Sequence, residues 1–204
     1  MVTQSLRNKL VGTVGSVGHL FFQDPEEKQI GAKTAEHWNI SLLALANVLN
    51  ENALILGEPG FGKTTLAKVM SSTMTGLPFD LYETAQIQGH PDQTFETMIA
   101  RLDFSKIHER ESVIWLLSAY LDSRIVDEIN RLPAGKQDEL LNAMQTGRFS
   151  YLNSTFFKEN TSFTATANHQ DNGTNVMIPP LRDRFGIAIE LGYIGATYRR
   201  DIAL

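Results

Sequence analysis

The stretch ALILGEPGFGKTTLAKVM, residues 53–70, decides the fold class of this chain. It begins with a short apolar run at residues 53–56, which is typical of a strand buried on both faces of a parallel sheet. The P-loop pattern G-x-x-x-x-G-K-T follows at residues 57–64. In that pattern the backbone N–H groups of a glycine-rich turn and of a helix N-terminus face an anion. Residues 64–70 have a helical pattern, so the strand, loop and helix of a phosphate-binding site occur in order.

The loop supplies groups suited to a nucleotide with magnesium. Its glycines let the backbone approach the phosphates, Lys63 would neutralise charge on the β- and γ-phosphates, and the Thr64 hydroxyl would ligate the metal ion. A glycine turn that merely caps a helix would not need the flanking buried strand. The predicted nucleotide-binding residues are Glu58, Pro59, Gly60, Phe61, Gly62, Lys63, Thr64 and Thr65.

The stretch RIVDEINRLP, residues 124–133, offers the acids that such a site requires. Asp127 ends a short apolar run and would reach the metal ion, usually through water. Glu128 would face the water beyond the γ-phosphate and orient or deprotonate it. Adjacent acids are also common at solvated helix starts, so the pair indicates catalysis mainly because it follows a P-loop. Ser123 and Arg124 replace part of the longer apolar run usual before such an acid.

Polar residues also flank the last two predicted strands. Asn168 follows a strand pattern and would lie at the carboxyl edge of the sheet, where ligands bind in open α/β folds. It could hydrogen-bond the water or the γ-phosphate, or simply begin a turn. Arg182 and Arg184 precede the last strand. An arginine there could act as a finger on a neighbouring subunit's nucleotide, or form a surface ion pair with Asp183.

Strand patterns alternate with helical patterns along most of the chain. This alternation predicts an α/β fold of the three-layer P-loop NTPase kind, with a mainly parallel five-stranded sheet. A helix is predicted just before the P-loop, at Asn39–Leu49. The predicted strands are Ala53–Leu56, Phe79–Glu83, Arg124–Asp127, Ser162–Ala167 and Gly186–Leu191.

Composition limits the function classes. The 204 residues, 42% hydrophobic and 20% charged, fit one globular domain. A net charge of -5 provides no global basic field for nucleic acid or anionic lipid. The chain has no cysteine, and its five histidines lack ligand spacing, which argues against a zinc site. No apolar run approaches the roughly 18 residues of a membrane span, and we expect a cytoplasmic protein.

Four stretches together resemble the AAA+ ATPases of the MoxR group, in the clade that includes magnesium chelatase and the MCM helicases. They are GEPGFGKTT (57–65), IVDEINRLPAGKQDELLNAMQTGRF (125–149), FTATANHQDNGT (163–174) and IPPLRDRFG (178–186). The resemblance covers about residues 38–200 and implies ATP and Mg²⁺ as cofactors. The roles that it implies are Walker A for Lys63 and Thr64, Walker B for Asp127 and Glu128, sensor 1 for Asn168, and the arginine finger for Arg184, with Arg182 as second candidate.

The resemblance also implies a domain organisation. Residues 1–37 would form an N-terminal arm or hairpin, residues 38–195 the nucleotide-binding α/β core, and residues 196–204 the start of a helical lid that this chain lacks. An insert in the second helix would occupy residues 86–121, and a hairpin before sensor 1 residues 149–160. Aromatic residues of that hairpin would contact a client or simply pack: Tyr151, Phe156 and Phe157.

Family members usually assemble as hexameric rings, so the resemblance implies a homo-oligomer that remodels protein clients by ATP hydrolysis. In MoxR relatives a von Willebrand A domain protein can be the partner. A nucleic-acid motor of the helicase branch is the main alternative, but its hairpin would carry more basic residues than Lys158 beside Glu159. A switch that only binds nucleotide would not need Glu128 and Asn168. A Ras-type GTPase would need an N-K-x-D or T-K-x-D motif, which the sequence lacks.

Overall fold

The structure, a computed structural model, describes residues 8, 10–12, 14–17, 28–31, 33–35, 37–106, 112–169 and 175–192. The strands among these residues are β1 (Lys28–Ile30), β2 (Lys33–Ala35), β3 (Ala53–Gly57), β4 (Ile87–Gln88), β5 (Ala100–Leu102), β6 (Val113–Trp115), β7 (Ser123–Asp127), β8 (Arg148–Tyr151), β9 (Ser154–Phe157), β10 (Ser162–Ala167) and β11 (Ile187–Leu191). The helices are α1 (Trp38–Leu49), α2 (Lys63–Thr75), α3 (Phe79–Ala85), α4 (Phe95–Met98), α5 (Leu117–Tyr120), α6 (Ala134–Thr146) and α7 (Pro179–Arg182), with 3-10 turns at Phe104–Lys106 and Ile129–Arg131.

The central sheet has five parallel strands in the order β11-β3-β10-β7-β4. The strand that leads into the P-loop, β3, therefore lies between β11 and β10. Strand β7 pairs with β10 on the other side, so the carboxyl ends of β3, β10 and β7 meet at one edge. Ligands of open α/β sheets bind at this edge. The predicted α/β fold with a five-stranded parallel sheet is confirmed.

Neighbouring residues of the sheet strands enter two different cores. Ile55 and Ile125 pack with α1, α2 and α3 on one face, whereas Leu54 and Val126 pack with α6 and the hairpin on the other. The alternation follows from the two-residue period of a strand. Because both faces are covered, β3 is apolar at every position before Gly57, and the domain has three layers.

One predicted strand is wrong. Residues 79–83 belong to helix α3, and the edge strand is instead β4, which pairs with β7. Pro78 directly precedes the helix, where its fixed φ and missing N–H cost little, and Asp80 lies in the first turn. Tyr82 and Ala85 are buried three residues apart on one face of that helix. A short apolar run of this length does not by itself separate helix from strand.

The hairpin of β8 and β9 packs against residues of the predicted insert. The Tyr151 ring stacks on Phe95 with centroids 5.2 Å apart. Phe156 contacts Trp115 and Tyr120, with centroids 5.4 and 4.9 Å away. Two of the three candidate client aromatics are therefore packed within the chain. The third, Phe157, remains 49% exposed and lies under the Arg148 guanidinium.

The segments at the two ends of the chain are described only in part. Residues 10–12 and 14–17 are helical, and Val17 is buried against the core that contains α1 and α2. Strands β1 and β2 pair antiparallel. The predicted start of a lid, residues 196–204, lies outside the described residues. Within the described part of the chain, no helix has the length and apolarity needed to cross a bilayer.

Candidate functional site

The P-loop joins the end of β3 to the start of α2. Gly60 and Gly62 have φ values of 83° and 72°, in the left-handed region that L side chains rarely adopt. Gly62 is also the residue that caps the N-terminus of α2. A Cβ on either glycine would meet no heavy atom within 4 Å, so these positions border open space. Glycine is required here for backbone conformation, and that conformation turns the chain into the helix beside the cavity.

The Lys63 ammonium lies at the centre of the loop. Its Nζ donates to the carbonyl oxygens of Gly57 and Glu58, both at 2.8 Å, and the residue is only 6% exposed. Burial lowers the pKa of Lys63, while the nearby carboxylates of Asp127 and Glu128 oppose that shift. A further negative group, such as a phosphate, would therefore stabilise the charged form of this buried lysine.

Asp127 joins the P-loop to the neighbouring strands. Its Oδ1 accepts from the Thr64 hydroxyl at 2.5 Å and from the Thr166 hydroxyl at 2.6 Å. The parallel register of β3, β10 and β7 brings the three side chains together at the carboxyl edge. Hydroxyl and carboxylate oxygens are the hard ligands that Mg²⁺ accepts, and Mg²⁺ usually takes only one or two protein carboxylates beside phosphates and water. The donor set at this edge therefore fits Mg²⁺.

Glu128 has a strained backbone and a side chain with a partner at each carboxylate oxygen. Its φ and ψ of 50° and 47° lie in the left-handed region, which costs about 1 to 2 kcal/mol for an L residue. Its N–H donates to the Thr166 hydroxyl at 2.9 Å. Oε1 accepts from Asn168 Nδ2 at 2.9 Å, and Oε2 lies 3.1 Å from Arg131 Nε. Such strain persists only where the surroundings determine the conformation, and it is concentrated at functional sites.

Asn168 is part of the site. It is 6% exposed and follows directly on β10, where its side chain contacts Glu128. Its carbonyl oxygen accepts from Asn130 Nδ2 at 3.0 Å. The structure places the Asn168 amide against Glu128, and the contact of Asn168 with the water or the γ-phosphate stays a prediction.

The cavity at this edge has a volume of about 220 Å³. Of the predicted site residues, Glu58, Arg182 and Arg184 do not line it. Residues 182 and 184 are exposed, and the Arg184 guanidinium donates to the Gln145 side-chain oxygen at 2.6 and 3.1 Å when the amide is oriented to satisfy both groups. The lining residues are Pro59, Gly60, Phe61, Gly62, Lys63, Thr64, Thr65, Asp127, Glu128 and Asn168.

Sequence reasoning missed three residues that shape the site. Thr166 hydrogen-bonds both acids, and its position two residues before Asn168 in a strand would have placed both on one face. Arg131 pairs with Glu128 at a spacing of three residues, which suits a single helical turn. Gly89 donates its N–H to the Asp127 carbonyl at 2.7 Å, and no sequence pattern signals that contact.

Comparisons with known proteins agree with this geometry. The family model described as the AAA domain of the dynein-related subfamily matches residues 52–185, which include the P-loop and both acids. A crystal structure of "a putative ATPase" from Cytophaga hutchinsonii ATCC 33406 is similar, with a TM-score of 0.65 and 20% sequence identity. The match covers 98% of this chain and 55% of that one, so the chain spans about half the length of that structure. At this identity the likeness shows the fold alone. No curated protein matches the chain.

Proposed function

Because this chain belongs to the AAA domain family, dynein-related subfamily, we propose that its cavity binds ATP with Mg²⁺ and hydrolyses the bond to the γ-phosphate. The proposal assigns the phosphates to residues 58–65, whose glycines border open space and whose lysine is a buried cation. Thr64 and Asp127 would hold Mg²⁺. When bound, the ion would neutralise charge on the phosphate oxygens.

Glu128 is the proposed general base. It would accept a proton from a water molecule while the water oxygen bonds to the γ-phosphorus. The bond from that phosphorus to the bridging oxygen breaks, so the products are ADP and inorganic phosphate. Asn168 would hold the carboxylate and the water in place. Lys63 would offset the charge that grows on the leaving oxygen.

The observation that carries this proposal is the contact between Asn168 and Glu128 at 2.9 Å. It orders a carboxylate that lines the cavity next to Asp127, whereas Thr64 hydrogen-bonds Asp127. A protein that only binds nucleotide would need Thr64 and Asp127 but would gain nothing from a second, separately held acid. Hydrolysis is therefore favoured over a binding-only switch.

We further propose that the chain acts in a homo-oligomeric ring of MoxR type that remodels protein clients, with a von Willebrand A domain protein as one class of partner. The exposed Arg184 lies outside its own chain's cavity, as a finger offered to a neighbouring subunit would. Arg182 remains the second candidate for this role. The helicase alternative is disfavoured because Lys158, directly after the hairpin, pairs with Asp122 at 2.8 Å, and Arg148, the basic residue of β8, lies over the Phe157 ring.

The experiment is phosphate release per protomer with ATP and Mg²⁺ over a range of protein concentrations, with Lys63→Ala as blank. We expect a rate above the blank that rises with concentration and falls to the blank in Arg184→Ala. Arg182→Ala tests the second candidate, because it removes the other exposed arginine two residues away. A rate that does not depend on concentration, or on either arginine, would contradict a shared site, and a rate at the blank would contradict hydrolysis.

A further inference from the structure

The carboxylate of Glu128 has a second partner that its proposed role does not explain. Arg131 Nε lies 3.1 Å from Oε2, whereas Asn168 Nδ2 donates to Oε1. The side chains of Glu128 and Arg131 are 26% and 34% exposed, so the pair is neither deeply buried nor fully solvated. Oε1 therefore has a hydrogen-bond donor and Oε2 has a cationic partner, so the carboxylate is held at both oxygens, although the Arg131 Nε–H itself has no hydrogen-bond partner among the described residues.

A side chain of this kind is held more firmly by two contacts than by one. A glutamate has three side-chain torsions, and ordering it costs up to about 1.5 to 2 kcal/mol of rotamer entropy. A single hydrogen bond from Asn168 leaves the carboxylate free to rotate about that contact. The guanidinium adds the electrostatic attraction of an ion pair at the other oxygen, in surroundings that are partly shielded from water.

The turn that carries Arg131 is itself anchored. Residues 129–131 form a 3-10 turn, in which the Arg131 N–H donates to the Glu128 carbonyl at 2.8 Å. Asn175 donates its backbone N–H to the Asn130 carbonyl at 2.6 Å, and its Nδ2 donates to the carbonyls of Arg131 and Leu132 at 3.3 and 3.2 Å. The guanidinium therefore projects from a backbone that is held at both ends of the turn.

We propose that Arg131 is a positioning residue that holds the Glu128 carboxylate in its catalytic orientation, together with Asn168. The inference rests on the proposed hydrolysis and deepens it. Arg131 does not line the cavity, so it acts through Glu128 and not on the nucleotide. Its loss should reduce turnover and leave nucleotide binding unchanged.

The kinetic test compares Arg131→Ala and Arg131→Lys with the wild-type chain. We expect kcat to fall about tenfold in Arg131→Ala with KM for ATP within about twofold, since the lost contact acts after binding. Arg131→Lys should recover part of kcat, because it restores the charge without the rigid fork. The matched control is Arg148→Ala, an exposed arginine beyond the far end of the thirteen-residue helix α6. Unchanged kcat in Arg131→Ala, or equal loss in the Lys variant, would overturn the proposal.

A second test does not depend on activity. Thermal unfolding midpoints of the wild type, Arg131→Ala, Glu128→Ala and the double variant form a double-mutant cycle without nucleotide. We expect Arg131→Ala to lower the midpoint by about 1 to 3 °C more in the presence of Glu128 than in its absence. Equal shifts in both backgrounds would show that the pair does not form and would overturn the proposal. If the wild type fails to hydrolyse ATP, the proposed function fails, and this cycle still decides whether Arg131 holds Glu128.

Discussion

A Cβ placed on Gly89 would lie 2.1 Å from the carbonyl oxygen of Glu128, closer than any real side chain approaches a backbone atom. Gly89 follows strand β4 directly, and its N–H donates to the Asp127 carbonyl at 2.7 Å. Gly89, the residue after the edge strand, therefore packs directly against the backbone of both acids. This contact helps hold Glu128 in its left-handed conformation, and it leaves room only for glycine.

Replacing Gly89 should damage the site more than the fold. In Gly89→Ala we expect kcat for ATP hydrolysis to fall at least tenfold, because the backbone of Glu128 must move by about an ångström to admit the methyl group. Steady-state phosphate release measures the effect. The matched control is Gly135→Ala in α6, where a Cβ meets no atom within 4 Å and alanine favours the helix. A kcat for Gly89→Ala equal to that of Gly135→Ala would show that this close approach does not position the acid.

Thr166 connects the two acids through one hydroxyl. Thr166→Val keeps the shape but removes the donor to Asp127 and the acceptor for the Glu128 N–H. We expect the Mg²⁺ concentration for half-maximal hydrolysis to rise and kcat to fall, each by about three- to tenfold, since a lost hydrogen bond is worth about 1 kcal/mol. Titration of phosphate release with Mg²⁺ measures both effects.

Thr164→Val is the control for that variant. Thr164 is buried on the same strand two residues earlier, so the substitution has the same chemistry and faces the same side of the sheet. It should leave the Mg²⁺ requirement unchanged. Equal effects of the two variants would mean that the hydroxyl of Thr166 has no special role at the site.

Arg124 is a buried guanidinium in the strand that carries both acids. It is 1% exposed, lies 4.9 and 5.3 Å from the ring centroids of Phe149 and Phe163, and donates to the carbonyls of Ser118 and Ala119. Burial lowers the pKa of Arg124 to about 10. The side chain thus links β7 to α5, β8 and β10, and this packing explains why the run before Asp127 is not wholly apolar.

Truncating this arginine should destabilise the domain. We expect Arg124→Ala to lower the free energy of unfolding by about 2 to 4 kcal/mol, through a cavity between two rings and carbonyls left without a donor. Arg124→Met should cost less, because it fills the volume and avoids burying a charge. Urea unfolding measures both, with the exposed Arg101→Ala as control. A Met variant as unstable as the Ala variant would show that the guanidinium contacts, not the volume, dominate.

The pKa of Lys63 gives a pH dependence of binding. Burial lowers this pKa from 10.5, so the free protein loses the lysine proton at a lower pH than an exposed lysine would. Bound phosphates favour the charged form and raise the pKa again. At pH values between the pKa of Lys63 in the free protein and its higher pKa in the complex, ATP binding takes up a proton. The affinity for ATP therefore falls as the pH rises toward 10.5.

Titration calorimetry in two buffers of different ionisation enthalpy measures that proton uptake. We expect more uptake per ATP bound at about pH 9.5 than at about pH 8, where the lysine of the free protein keeps more of its charge. Uptake that is equal at the two pH values would show that Lys63 does not change its protonation when the phosphates bind.

The parts of the molecule that could be predicted from the sequence are those with a strong local pattern. The strand β3 and the helix α2 follow from an apolar run, glycines with special φ and a helical repeat, all within one short stretch. The family match and the sheet confirm the fold inferred from that stretch. The short helix α3 was predicted as a strand because its few apolar residues fit both periods, and its burial is decided by tertiary packing.

The site could be predicted only where a residue type reveals its own chemistry. Lys63, Asp127 and Glu128 stand in recognisable patterns, and the structure brings them to one cavity. The contacts of Thr166 and Gly89 depend on which strands are neighbours and on their register, which a single sequence does not encode locally. The roles of all these residues remain predictions until they are tested.

The most direct test identifies the nucleotide that the protein retains after incubation with ATP and Mg²⁺ and rapid removal of free ligand. We predict ADP on the wild-type chain and uncleaved ATP on Glu128→Gln, because the amide cannot accept the proton of the attacking water. Lys63→Ala, which should retain neither, is the blank. ATP retained on both chains would show that the site binds without hydrolysis, and ADP on both would show that Glu128 is not the base.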